Sequence, residues 1–505
     1  MKALTMFCCL FTIYFYLGFP SACAYPETSE SERALHVLNR LTYGARPGDL
    51  QFIQTIGVEQ FIEQQLHPES MIIPQPLIAL AQSKPVLTLS PTQMFVRFGR
   101  PALNVMAKQN SNTDDAKKEV QRLIGDTYKQ LYFDQAEFRL NRDLYSPQQL
   151  QELMTEFWFN HFNITFDKGR DNLWVSSYEN VAIRPYALGK FRDLLGATAH
   201  HAAMLFYLDN WQNSGPNSRR SNSKGRSTGI NENYARELME LHTLGVDGGY
   251  SQKDVIALAH ILTGLGLPLI KGNHYVDLNN PFGDFFNANR HDFSDKVFLG
   301  KTIKGAGEQE IEQALDILAY HPATAHHICL QLAQFFICDN PPAILVDKMS
   351  KTFLATEGDI KAVLKELFHS TEFWDNKYYN VKFKSPYRYI ISALRATNAN
   401  VENIKPIVQF LRQQGMPLYQ CLTPDGYKNT QETWLNPDAL IHRLNFATAF
   451  GVGRMPNIHP KVASWQEVVP ILGKTATAAT LNAINQAPAR MRLSLVLGSP
   501  EFMQY

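Results

Sequence analysis

Cysteine is scarce in this chain, and it is scarcer than the total suggests. Of the six cysteines, three lie within the first 24 residues, which leaves Cys329, Cys338 and Cys421 in the remainder. No Cys-x-x-Cys or Cys-x-x-Cys-His spacing occurs, so a zinc ribbon and a c-type haem are unsupported. An odd count allows at most one disulfide within the chain. Cys329 and Cys338 fall in one helix-like run, where nine residues span about 13.5 Å, too far for a bridge. Any bridge would therefore use Cys421. Charge of one sign is also lacking, since 48 Lys and Arg face 47 Asp and Glu for a formal net charge of +1. That balance gives no argument for nucleic acid or for a polyanionic partner. A Walker loop, a Gly-x-Gly-x-x-Gly turn and a His-Glu-x-x-His helix are missing as well.

Long apolar runs are confined to the N-terminus. "MKALTMFCCLFTIYFYLGFPSACA" has one charge, Lys2, then an apolar stretch from Leu4 to Phe19, then Ala22-Cys23-Ala24. This pattern predicts a secretory signal peptide over residues 1–24, cleaved after Ala24, and hence export to the periplasm or the extracellular space. The stretch is short for a membrane span. No second segment is apolar enough to cross a bilayer, so the mature chain is expected to carry no transmembrane span. Residues 25–505 read as a single helical region, with two packed subdomains meeting near a loop at 210–229 as the alternative subdivision.

What is present is helix after helix. A hydrophobic content of 45% can fill a large core. Leu35, Leu38 and Leu41 recur at helical spacing before Gly44. Further helices are expected up to Gly57 and Leu66. Ser146-Pro147 and Ser385-Pro386 read as N-cap and first-turn pairs, and Ser251 with Asp254 as a capping box. His321 before Pro322 reads as a helix entry. The expected class is mainly α, a large multi-helix globular fold with at most a small β-hairpin insertion. That hairpin is expected within Tyr275–Leu299, a stretch rich in Asn, Asp and Gly with aromatics between. Polar loops are expected near Asn110, at 210–229 with Arg219, Arg220, Lys224 and Arg226, and around "LTPDGYKNTQETWLNP".

The most informative stretch is "GINENYARELMELHTLGVDGGYSQKDV", Gly229 to Val255. With Asn233 at zero on a helical wheel, Glu237 falls at about 40°, Glu240 at about −20° and Arg236 at about −60°. These four form one polar stripe. His242 lies on the far side, so no Glu-x-x-His metal pair is formed. Two carboxylates one turn apart repel, and one proton affinity rises unless a cation intervenes. Glu237 and Glu240 are thus candidate acid/base groups or ligands of a divalent metal ion, with Asn233 and Arg236 orienting them. An Arg236–Glu240 surface pair is the competing structural reading. "MTEFWFNHFNITFD" repeats the theme, with Glu156, Asn160 and Asn163 on one helix face and His161 on the aromatic face. In the loop "NRHDFSDK", His291 and Asp292 are adjacent. His161, His242, His291 and Asp292 join Glu237 and Glu240 as candidate metal ligands.

The blocks "LNRLTYGARPGDL", "FWFNHFNI", the Gly229–Val255 stretch, "RHDFSDKVFLG", "HPATAHHICLQLAQFF", "KSPYRYIISALRA" and "GMPLYQCLTPDGYKNTQETWLNPDALIHRLNFA" carry a resemblance. The chain resembles the bacterial family known as domain of unknown function 1800, from Leu38 onward. Two departures are Gly426-Tyr427, where the family more often has Gly-Trp, and Arg388, where an acidic residue is common. The resemblance implies a secreted or envelope protein, mostly helical, working beside a co-encoded secreted protein that looks sulfatase-like. It supplies no reaction. A hydrolase or lyase acting on an envelope polymer is one expectation. A non-catalytic assembly or partner-binding protein is the other.

Overall fold

The computed structural model describes residues 29–103, 114–216, 229–268 and 277–505. The segment read as a signal peptide, residues 108–113 of the polar stretch near Asn110 and the basic loop Arg219–Arg226 lie outside the described residues, while residues 114–119 of that stretch, expected in a loop, begin the helix Asp114–Tyr145. The fold is mainly α, as the periodicity requires. Among the described residues the strands are short pairs only. The expected hairpin is displaced: Leu265–Gly266 pairs with Phe285–Phe286, and the tight hairpin joins Lys296–Phe298 to Lys301–Ile303. A third pair, Asn400–Val401 with Ile458–His459, is not expected from the sequence. Two-residue strands are too short to show an alternating pattern, so no periodicity marks them.

The first helices form where expected, at Glu30–Leu41, Asp49–Ile56 and Val58–Leu66. Ser385 caps the Pro386–Ala396 helix by accepting from the Arg388 N–H at 3.2 Å. Asp254 accepts from both the Ser251 N–H at 2.9 Å and its hydroxyl at 2.6 Å, fixing the Gln252–Ile261 helix start. His321 Nδ1 accepts from the Ala323 N–H, opening the Pro322–Phe336 helix. Ser146-Pro147 behaves differently. The helix starts at Gln149 rather than at Pro147, because Ser146 Oγ accepts from the Gln148 N–H at 3.1 Å in a local turn. Cys338 lies two residues past the helix that holds Cys329, and Cys329, Cys338 and Cys421 are all free thiols.

These helices surround one continuous apolar core running from Ala34 to Met503. Two elements position the cavity described below. The Asp114–Tyr145 helix is 32 residues, about 48 Å, long enough to run through the molecule. The Gln149–His161 helix beside it is buried through Leu150, Leu153, Met154 and Trp158. Among the described residues no helix is long and apolar enough to cross a membrane.

Candidate functional site: a charged cavity between helices 114–145, 149–161 and 386–396

Polar residues on the Gln149–His161 helix recur every four positions: Glu152, Glu156, Asn160. That spacing puts them on one face. Each meets a different environment. Glu152 lies beneath, where Arg142 donates to it at 2.7 Å and Arg184 forms a close ion pair. Burial opposes its ionisation, yet Arg184 and Arg142 hold it below the ordinary carboxylate value. Glu156 opens into a cavity of about 380 Å³. Asn160 clamps a loop across the cavity's far side: its Nδ2 donates to Tyr427 O at 2.9 Å and its Oδ1 accepts from Tyr427 N at 2.7 Å. Asn163 adds bonds to Thr423 O at 2.8 Å and Cys421 O at 3.2 Å. The loop lies so close that a Cβ on Gly426 (φ +66°) would sit 2.3 Å from Asn160 O. Only glycine fits there without a backbone shift.

The cavity wall is assembled from distant parts of the chain: Arg139, Glu156 and His161 from two helices, Tyr387 and Arg388 from a third, Glu240 from a fourth, and Tyr419, Asp425 and Tyr427 from the loop. Glu156 accepts from Tyr43 Oη at 2.7 Å. Burial pushes its proton affinity up, against the pull of Arg139, Tyr43 and Arg388. Behind it Arg139 donates to Glu179 at 2.9 Å, and Tyr387 hydrogen-bonds Asp143. Glu179 also takes a bond from Tyr419 Oη at 2.9 Å. It sits in a π-helical turn, Tyr178–Ile183, a rare geometry often found near functional sites. Tyr419 itself has φ 60°, a left-handed conformation that costs a non-glycine residue about 1–3 kcal/mol. Its hydroxyl bonds to Glu179 and Gln135 offset that cost.

Three histidines pack beside the cavity. His161 lies with its ring centroid 6.1 Å from His242 and 6.3 Å from His327. The Gln331 amide bridges His161 Nδ1 at 2.7 Å and His327 Nε2 at 3.1 Å. His161 Nε2 faces His242 O at 3.1 Å, and a neutral ring donates through one of these two nitrogens. Burial drives the His161 pKa down to about 4, with His327 adding to the effect. His242 is pushed well below its ordinary value by burial and by His161 and His327. The cluster is therefore neutral at pH 7.

The residues singled out from the sequence separate in space. Glu240 and His161 line the cavity. Glu237 is not among the lining residues; it lies near Glu240 and Asp425, which with burial raise its pKa while Arg236 opposes them. Arg236 bridges Glu232 and Glu240, both at 3.3 Å, on the outer surface. Asn233 donates to Leu208 O at 3.2 Å and fixes the helix start. His242 is buried behind the wall. His291 and Asp292 are elsewhere: His291 sits between Thr263 O at 2.7 Å and Glu310 at 2.9 Å, and Asp292 pairs with His260 at 2.6 Å. Among the described residues no group of three or more His, Cys, Asp or Glu is arranged to hold a metal ion. The donors that a resident divalent metal would need are thus not gathered there.

Sequence reasoning misses Arg139, Tyr387, Arg388, Tyr419 and Asp425 as wall residues. They come from segments up to about 280 positions apart, so no local spacing marks them. One local signal exists: the i, i+4 polar row of Glu152, Glu156 and Asn160 in a helix whose C-terminal half is aromatic.

The fold and the cavity define a class: a mainly helical protein built around a single core, with a water-accessible pocket whose wall mixes guanidinium, carboxyl and phenol groups. Within that class, the chain belongs to the family described as protein of unknown function DUF1800, whose model matches residues 36–504. No curated protein and no solved structure matches the chain.

Proposed function

We propose that the protein is an exported hydrolase or lyase acting on an envelope polymer, and that the cavity at Glu156 is its reaction site. The observation that carries this reading is the Glu156 carboxyl. It is set in the wall of an accessible cavity, held by one phenol at 2.7 Å, with its proton affinity raised. A carboxyl kept towards its neutral form is suited to donate a proton to a leaving group. Glu240, on the same wall and closer to solvent, supplies the complementary carboxylate that activates water or takes a proton. Glu237, crowded by Glu240 and Asp425, stands beside it. Asn233 and Arg236 fix the helix that carries both.

The test is release of soluble fragments from a purified cell-envelope preparation. Wild-type protein should release fragments, and Glu156→Gln should not, with its melting temperature within a few degrees of wild type. Equal release by Glu156→Gln would remove the reading. A second reading, partner binding to a co-encoded sulfatase-like protein, is favoured by two exposed apolar side chains on loops flanking the cavity, Val246 and Leu422. Stoichiometric co-purification that is lost on Val246→Asp and kept in Glu156→Gln would favour it.

A further inference from the structure

The cavity is graded in charge from floor to mouth. At the floor lies Arg388, 4% exposed. Its Nη2 donates to Asn39 O and to Thr42 O, the latter at 2.8 Å, and its guanidinium lies 3.8 Å from the Tyr505 ring centroid. These contacts fix the plane of the group. No carboxylate among the described residues forms an ion pair with it, and its Nε and Nη1 make no hydrogen bond to a described residue. Arg139, also in the wall, donates from Nη1 to Glu179 and keeps Nη2 without such a bond. At the mouth the sign reverses. Glu240 and Asp425 line it, with Glu237 beside them, and Val246 at 69% exposure marks the solvent side. Arg236 and Lys428 each pair with one of these carboxylates, at 3.3 and 2.8 Å, and among the described residues no cation forms an ion pair with Glu237.

A buried guanidinium with free donors in a cavity wall is costly unless an anion completes it. A fixed planar fork is matched by a carboxylate, which accepts two parallel bonds. A polyanion would be repelled by the carboxylates at the mouth. A ligand with an anionic end and a cationic group behind it satisfies both ends. A volume of about 380 Å³ is within the small-ligand range and is larger than one amino acid needs. Phe157, Phe335 and Tyr427 add apolar surface to the same cavity lining.

We propose that the cavity receives the free carboxylate end of a peptide, bound by Arg388 and Arg139, with an amine one or two residues behind it held by Glu240 and Asp425 and favoured by the nearby charge of Glu237. This rests on the reading that the cavity is the substrate site, and it narrows the envelope polymer to one bearing such peptides. The raised proton affinity of Glu237, caused by burial and then by Glu240, fits a carboxylate cluster with fewer cations than carboxylates among the described residues.

The experiment is calorimetric titration of the full-length mature protein at pH 7 with Gly-Lys-Ala, its C-terminal amide, and its Nε-acetyl-lysine form, with hexagalacturonate as the polyanion. The free acid should bind at least tenfold tighter than the amide and severalfold tighter than the acetylated form. Arg388→Gln should abolish the preference for the acid, and Glu237→Gln/Glu240→Gln the preference for the free amine. Because Arg388 also ties down Asn39 and Thr42, melting temperatures are measured alongside. If Arg388→Gln does not fold, the acid-to-amide ratio in wild type and the double glutamate variant decide alone. Equal binding of acid and amide, no binding at millimolar peptide, or tighter binding of hexagalacturonate would each overturn the proposal. Acid-selective binding without fragment release would uphold it and remove the hydrolase or lyase reading. Fragment release without acid preference would do the reverse.

Discussion

Replacing His161 should change how stability depends on pH, and the size of the change can be worked out. His161 is 7% exposed, wedged between Gln331 and the His242 carbonyl, and its pKa falls from 6.5 to about 4 because burial penalises the imidazolium. The unfolded chain binds a proton at this site near pH 6.5, while the folded chain resists until about pH 4. In that window the unfolded state carries more protons, so stability falls as pH falls. At about 1.4 kcal/mol for each tenfold change in proton affinity, the fall from 6.5 to about 4 gives a full loss of roughly 3 kcal/mol, of which roughly 2 has accrued between pH 7 and pH 4.5. Other groups titrate in the same range. His201, driven to about 3 by burial, acts in the same direction. Asp143 and Asp171, pushed up by burial, act in the opposite direction. The absolute slope is therefore a sum of opposing contributions. The difference between wild type and His161→Gln reads this imidazole together with the relief of His242, whose proton affinity His161 lowers. Glutamine can still donate to the His242 carbonyl, so the variant should be less stable at pH 7 by about 1–3 kcal/mol, a lost packing and hydrogen-bond contribution. By pH 4.5 the stability difference, wild type minus variant, should have shifted by roughly 2 kcal/mol in favour of the variant. Urea unfolding at intervals between pH 7.5 and 4.5 reads this directly, provided that the m-value is unchanged. A difference constant to within about 0.5 kcal/mol across the range would show that His161 titrates as an ordinary solvated histidine. The dry environment assigned to the cavity's inner wall would then be wrong.

The same geometry sets three further outcomes. Gly426→Ala should lower stability by about 2–4 kcal/mol, the cost of a left-handed non-glycine residue plus loosened Asn160 bonds, seen as a lower urea midpoint and faster proteolytic cleavage between 421 and 430. An unchanged midpoint would mean that the loop is not clamped. Glu152→Gln should cost about 3–5 kcal/mol, because it leaves the buried Arg142 and Arg184 without their shared carboxylate; a loss under about 1 kcal/mol would show that the network is solvated. His200, raised to about 9 by Asp284 and Glu312 against the cost of burial, contributes stability that is complete below pH 6.5 and lost as pH rises through about 9. His200→Gln should therefore flatten the alkaline limb of the stability curve between those values, and an unaltered limb would contradict the pairing.

Helical class, the early helix boundaries, the capping box at Ser251 and the cap at Ser385 are legible in the sequence because each depends on residues within four positions of one another. The same locality explains the failures. Ser146 carries a cap residue's chemistry, but its oxygen is taken by a tighter turn, and the helix starts two residues later. The polar stripe of Asn233, Arg236, Glu237 and Glu240 is a true stripe, yet a helical wheel cannot say what faces it. Packing turns Asn233 into a backbone tie, Arg236 into a surface bridge and Glu240 into a cavity wall. His291 and Asp292 have metal-ligand chemistry, and each is occupied by a partner elsewhere in the chain, Glu310 or His260.

By itself, the sequence determined the apolar periodicity, the turns that interrupt it, the near-zero net charge and the family to which the chain belongs, since all of these are properties of neighbours or of composition. The tertiary structure alone decided that Glu156 meets Arg139, Arg388 and Tyr43 around one cavity, and that a buried guanidinium and two more carboxylates, Glu240 and Asp425, line that same cavity. Proton affinities and binding depend on distances between side chains through space and on how much water is excluded between them. Neither quantity exists until the helices have packed.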